Sequence, residues 1–237
     1  MNPFYKFFNP LLSLFIPSSC IFCDEELPSG RRGICSRCYD KLPALSGKLL
    51  QVLKEEIEPR YFDHLFIAFE FCKEIQTMVH LLKYSRYLTF AEYFASSIRM
   101  RIPESVYDLV TAVPLNTVRY RERGYNQSAL IAKSVANLLS VPFKEDILER
   151  TKNTISQTSL KREARKLNVQ DAFRIKKSME GKRILLVDDV ITTGSTLNEC
   201  AKVLKKDNAG LVDIAAVATP ANILQHQLEQ EDNSLLL

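Results

Sequence analysis

The sequence predicts an α/β fold built on a mainly parallel sheet, with a small separate module ahead of it. Three observations carry this. The first is Arg183–Lys206, RILLVDDVITTGSTLNECAKVLKK, where the continuous apolar run Ile184–Val187 reads as a buried parallel strand. Asp188 and Asp189 follow at its carboxyl end, then Thr192, Thr193, Gly194, Ser195 and Thr196, then a helix with Leu197, Cys200, Ala201 and Leu204 at helical spacing. The second is Asp108–Val113, DLVTAV, another apolar strand that stops at Pro114 and passes through a basic stretch into a helix from about Tyr125 to Leu139. The third is the cysteine pattern Cys20-x2-Cys23-x11-Cys35-x2-Cys38.

Taken in order, the chain opens on an aromatic-rich amphipathic segment, residues 4–16, expected to dock on the body. Pro10 and Pro17 bracket its apolar run, the basic flank is thin and no small-residue cleavage site follows, so a secretory leader is a poor reading. Two Cys-x-x-Cys knuckles then let four thiolates converge on one tetrahedral metal ion, with Pro28, Ser29 and Gly30 turning between them and Gly33 easing the approach to the second. Cys20, Cys23, Cys35 and Cys38 fill all four positions of a Zn²⁺ site, which makes it structural and closed. Disulfides would require an oxidising compartment. Cys72 and Cys200 lie in apolar surroundings and read as core residues.

Residues 41–62 read as a connector around a short helical piece, and His64–Phe71 as a strand. Ile75, Met78, Val79 and Leu82 mark an amphipathic helix, a basic turn Lys83–Arg86 follows, and a second helix runs from Leu88 to Arg99. After Pro114 come Arg119, Arg121, Arg123 and Gly124, whose guanidinium forks suit a diphosphate; a solvated basic face would read alike. Residues 150–178 are polar and strongly basic, as a surface helix or an active-site lid would be. Leu211–Val217 is another buried strand, and 221–237 reads as a helix with a frayed end. The expected division is 1–45 for the front segment and metal module, 46–220 for the α/β domain and 221–237 for the tail.

The chemistry of the Arg183–Lys206 stretch is specific. A loop entering a helix offers unpaired N–H groups and partial positive charge, Thr and Ser add donors, and Gly194 lets an anion approach the backbone. That suits a phosphate. Two carboxylates repel phosphate and suit instead the cis hydroxyls of a ribose or, through water, a divalent metal. Neither a Walker loop nor a dinucleotide fingerprint is present. Composition is that of a globular chain, 46% hydrophobic and 25% charged, and a net charge of +4 is compatible with phosphorylated ligands or nucleic acid without requiring either. No apolar run reaches the roughly 18 residues of a membrane span, so a soluble, cytoplasmic protein is expected.

VDDVITTGST closely resembles the phosphoribosyl pyrophosphate (PRPP) signature of the type I phosphoribosyltransferases. Beyond it, CIFC…CSRC, LLKY, VPLNTVRYRERGYNQ, QTSLKREARKLNV and ILLVDDVITTGSTL stand in the order seen in the ComF family of competence proteins, a likeness running from about residue 10 to 218. One departure is Asn116, where many relatives carry His.

The resemblance implies a type I phosphoribosyltransferase-like domain behind a zinc ribbon, and a hood over the ligand from parts of 60–90 and 150–175. It implies that Asp188 and Asp189 hold the ribose hydroxyls and that Thr192–Thr196 cradle the 5′-phosphate, with Val190 in the same binding site. Lys83, Asn126 and Gln127 join the ligand site, and Arg119 and Arg123 face the pyrophosphate. Mg²⁺ accompanies PRPP. It further implies a role in natural transformation at the inner face of the membrane, with single-stranded DNA and a competence helicase as further partners. Two readings stay open: transfer of phosphoribosyl to an acceptor, or a non-catalytic PRPP-binding module that holds single-stranded DNA, for which Phe22, Tyr39, Tyr84, Tyr120 and Tyr125 are candidate stacking residues.

Overall fold

The structure is a computed structural model and describes residues 19–27, 33–104, 107–151 and 169–220. The expected N-terminal amphipathic segment, the Pro28–Gly30 turn, the QTSLKREARKLNV motif up to residue 168 and the tail 221–237 lie outside the described residues. In chain order the elements are α1 Ser36–Tyr39, α2 Gly47–Glu56, β1 Leu65–Glu70, α3 Lys73–Tyr84, α4 Thr89–Arg99, β2 Leu109–Ala112, α5 Thr117–Arg123 and α6 Gln127–Leu139. They continue with β3 Leu148–Arg150, β4 Phe173–Ile175, β5 Arg183–Val190, α7 Ser195–Lys206 and β6 Leu211–Thr219.

Strands β1, β6, β5 and β2 form one sheet in that order, each neighbouring pair parallel. The apolar runs of the sequence are its two central strands and their neighbours, as expected of strands covered on both faces. Alternation along β5 splits the core. Leu185 and Val187 face a layer made by α3, α4 and α6, whereas Ile184 and Leu186 face α2 and α7. Register reinforces the split, with Leu186 opposite Ile214 on β6 and Val187 opposite Ala112 on β2. Both outer edges are occupied: Pro43 and Leu45 bond to β1, and Pro142 and Lys144 bond to Val110 of β2.

Most predicted elements stand within a few residues of the expected places. Three differ. Strand β5 continues through both acids to Val190, because its ladder to β6 runs on to Ala218. The helix expected from about Tyr125 begins at Gln127 with Asn126 as its cap, and the arginine-rich stretch before it is itself helical, α5, capped by Asn116 and ended by Gly124 at φ 82°. The polar stretch 150–178 is bounded by an antiparallel ribbon, β3 with β4, held down by the buried Leu148 and Phe173.

Phe94 on α4 is fully buried between the sheet and its neighbouring helices, whereas Tyr120 on α5 is 47% exposed. Phe94→Ala is therefore expected to lower unfolding stability by about 3–5 kcal/mol. Tyr120→Ala should stay within about 0.5 kcal/mol. Urea denaturation of the two variants checks the contrast.

Candidate functional site

Parallel strands aim their carboxyl ends, and the amino ends of the helices that follow, at a common crevice. Here that crevice is a cleft of about 550 Å³. Asp188, Asp189 and Val190 come to it from β5, Thr192 and Thr196 from the entrance to α7, and Val113–Asn116 with Arg119 from the segment after β2. Asn126, Gln127 and Ser128 come from the start of α6, and Arg150 from β3. Helix α3 closes one side. Ile75, Met78, Val79 and Leu82 bury its core stripe, and the adjoining stripe turns Gln76, His80, Lys83 and Tyr84 to the cleft. The walls thus come from 71–84 and from Arg150, two of the regions expected to cover a ligand.

The two acids are differently held. Asp188 Oδ1 accepts hydrogen bonds from Ser128 Oγ at 2.7 Å and from the Asp189 amide at 2.9 Å. Burial, followed by the charge of Asp189 beside it, pushes the Asp188 carboxyl up to about 7. Burial pushes Asp189 up as well, but the Lys83 ammonium in contact with its Oδ2 outweighs this and holds it below the usual carboxylate range. Asp189 is 6% exposed, so Lys83 is the cation that keeps a buried charge in place at the cleft wall. Two guanidinium groups share the cleft with them. Arg119 lines the cleft, and Arg150 lies 5.4 Å from the Phe173 ring centroid with its pKa lowered by burial and by Arg119.

Of the residues singled out from the sequence, Asp188, Asp189, Val190, Thr192, Thr196, Lys83, Arg119, Asn126 and Gln127 line this cleft. Thr193, Gly194, Ser195 and Arg123 do not. The Thr193 and Ser195 hydroxyls bond each other at 2.8 Å and face a second cavity of about 240 Å³ behind the loop, beside Asn198 and Lys202. Gly194 has φ 69°, and a Cβ there would sit 2.4 Å from Ile57 Cδ1. Arg123 donates to Gln127 Oε1 and lies 5.1 Å from the Tyr84 ring centroid, which ties α5 to α6 and α3. Asn126 caps α6 and also donates to the Val113 carbonyl at 3.0 Å. Sequence reasoning missed Ser128, Gln76, His80 and Arg150. The stripe adjoining the apolar face of α3 would have pointed to Gln76 and His80, and a position in the first turn of α6 to Ser128.

The four cysteines of the front module converge. Their Sγ atoms all lie within 4.8 Å of one another, with Cys23 and Cys35 3.6 Å apart. Thiolates at about 2.3 Å from a tetrahedral zinc would be about 3.8 Å apart, so the set fits such an ion. A hydrogen bond from the backbone at Glu25, then Arg37, brings Cys23 down to about 6, whereas Cys23 and burial push Cys38 up to about 12. Four thiols this close cannot all ionise without a cation among them. The module also packs inward: Cys20, Ile34 and Cys35 belong to the same buried cluster as α3, α4 and α6. Gly33 is required by the Tyr93 ring, whose Cε2 would be 2.9 Å from an added Cβ. Cys200 is buried on α7 and Cys72 part-buried ahead of α3, in keeping with core roles.

A model of the phosphoribosyl transferase domain matches residues 126–232. DNA utilization protein YhgH of Escherichia coli (strain K12) is 29% identical over 225 residues, covering 85% of this chain and 96% of that protein. Competence protein F of Haemophilus influenzae is 29% identical over 217 residues, covering 81% and 93%. Competence protein ComFC of Streptococcus pneumoniae is 35% identical over 105 residues, covering 43% of each chain. The chain is thus similar, over most of its length, to proteins named for competence and DNA utilization. Among the described residues, no helix is long and apolar enough to cross a membrane.

The Lys83–Asp189 pair carries a direct expectation. Lys83→Met leaves a buried carboxylate without its cation and should cost about 3 kcal/mol or more at pH 8. The loss should shrink toward pH 5, because the freed Asp189 then takes up a proton, and Asp189→Asn in the same chain should recover most of it. Urea unfolding of the single and double variants at the two pH values measures this.

Proposed function

We propose that this protein is a ComF-family member that binds Mg²⁺-PRPP in the cleft and serves DNA uptake, with phosphoribosyl transfer to an acceptor as the chemistry the site suits. The observation that carries the reading is that Asp188 and Asp189, a hydroxyl-bearing helix entrance, and the guanidinium groups of Arg119 and Arg150 all line one cleft. Ribose hydroxyls would donate to the two carboxylates. The 5′-phosphate would lie at Thr192–Thr196, using the Thr192 and Thr196 hydroxyls and the N–H groups that begin α7. The diphosphate would face Arg119 and Arg150, whose partly desolvated charge gains most from a polyanion. Mg²⁺, when bound with PRPP, would offset diphosphate charge.

No side chain of the cleft has to act as nucleophile. In transfer, the C1–O bond to pyrophosphate breaks as the lone pair of an acceptor forms the new bond to C1, and the acceptor gives up its proton. The chain would contribute placement and neutralisation of the leaving charge. The cysteine module would hold structural zinc, in keeping with six free cysteines and a reducing, cytoplasmic setting. Participation in DNA uptake is supported by relatives named for competence and DNA utilization. A second reading, in which PRPP is held without turnover and the protein binds single-stranded DNA or a helicase, is favoured by Tyr84 and Tyr120. These are 63% and 47% exposed beside the arginines of α5, whereas Tyr39 and Tyr125 are bonded inward.

Calorimetry with Mg²⁺-PRPP, together with pyrophosphate release in the presence of acceptors, tests the reading. Wild type should bind, and Asp188→Asn with Asp189→Asn should abolish binding while one zinc per chain is retained. Absence of wild-type affinity at millimolar ligand would overturn it. The ionised form of Asp188 is the one that accepts from ribose, and its pKa stands at about 7. Affinity should therefore drop about tenfold from pH 8 to pH 6. Ser128→Ala removes a donor that favours the charged form, so the midpoint of that pH dependence should move upward.

A further inference from the structure

The cysteine module and the cleft lie at two ends of one packed series of side chains. Ile34 and Cys35, beside the second knuckle, are 2% and 4% exposed and sit in the cluster under α4. Tyr93 of α4 donates to the Ile34 carbonyl at 2.9 Å, and the Tyr39 hydroxyl, one residue past Cys38, bonds Ser97 and the Tyr93 carbonyl. Ring contacts then run along α4: Tyr39 to Tyr93 at 5.7 Å, Tyr93 to Phe90 at 6.2 Å, and Phe90 stacked on Tyr87 at 5.8 Å. Tyr87 lies in the turn between α3 and α4, and its amide donates to the Leu81 carbonyl at 3.3 Å. Two and three residues past Leu81 are the groups the end of α3 gives to the cleft, with Lys83 on Asp189 and Tyr84 under Arg123.

We propose that metal loading of the four cysteines holds α4 and the end of α3 in place, and so regulates ligand binding in the cleft. The proposal rests on the reading of that cleft as a PRPP site. Its physical basis is that a short loop closed by four cysteines takes its shape from the ion they hold. Without the ion, four crowded thiols repel or share protons, the loop loosens, and Ile34 and Cys35 no longer cover α4. Helix α4 then loses the bond from Tyr93 and the contact at Gly33. The turn after α3 loses its backing, and with it the fixed position of Lys83 beside Asp189. Coupling between two binding sites is reciprocal, so bound Mg²⁺-PRPP should tighten the hold on the metal by the same factor.

The test uses the full chain, loaded with zinc or stripped by a zinc-selective chelator. Hydrogen exchange is followed over residues 73–84 and 89–99, with 195–206 as the internal control, and affinity for Mg²⁺-PRPP is measured by calorimetry. Stripping should speed exchange in α3 and α4 at least tenfold, leave α7 unchanged, and raise the Kd for Mg²⁺-PRPP about tenfold. Mg²⁺-PRPP should raise the apparent zinc affinity by a like factor. Unchanged exchange in α3, or an unchanged Kd in the stripped chain, overturns the proposal. If the zinc-loaded chain has no affinity for Mg²⁺-PRPP, the PRPP reading fails, regulation of that ligand falls with it, and the exchange measurement alone decides whether the metal holds α3. Should stripping also release α7, Tyr93→Phe decides with zinc still bound: faster exchange in α3 and weaker PRPP binding support the coupling, and wild-type values of both refute it.

Discussion

Two adjacent carboxylates at the end of a buried strand are the constraint around which this molecule is arranged. Burying them next to each other is unfavourable in itself, since desolvation and mutual repulsion both oppose ionisation. The surrounding elements answer each acid separately. Helix α3 brings an ammonium to Asp189, and the first turn of α6 brings a hydroxyl to Asp188. The result is one acid fixed in its charged form and one poised near neutrality. The sheet order matters because it sets β5 between β6 and β2, so that helices from both flanks reach its end.

Much of this was legible before any coordinates. The apolar run of β5, the acids after it and the small residues before α7 form a local pattern, and local patterns are what periodicity and spacing report. The same holds for the two cysteine knuckles. What stayed hidden depends on contacts between distant segments. Ser128 and Arg150 are chemically ordinary in sequence and become site residues only because α6 and β3 end at the cleft. Conversely, Thr192–Thr196 reads as five equivalent residues, yet the backbone turns Thr193 and Ser195 to the far side. Arg123 belonged by composition with Arg119, but Gln127 and Tyr84 hold its guanidinium. The ribbon of β3 and β4 was missed because three-residue strands carry too little alternation to register.

The metal module illustrates a different point about small domains. A loop that binds an ion through four cysteines is often pictured as a bead on a string. Here Cys20 and Cys35 are buried in the main cluster, and Gly33 is shaped to a tyrosine of α4. Its folding energy and that of the larger domain are therefore shared.

The placement of β1 has a consequence for how the chain is made. Among the described residues the earliest strand, β1, takes its parallel partner from the latest, β6, and the cleft is walled by residues from 71 to 220. The four cysteines, by contrast, lie close together in the chain, between residues 20 and 38. The cleft has no complete wall until Pro220 has been made. Assembly of the sheet thus waits on a contact of high sequence separation, during which the apolar face of β1 must be sheltered by α2–α4 or by a chaperone.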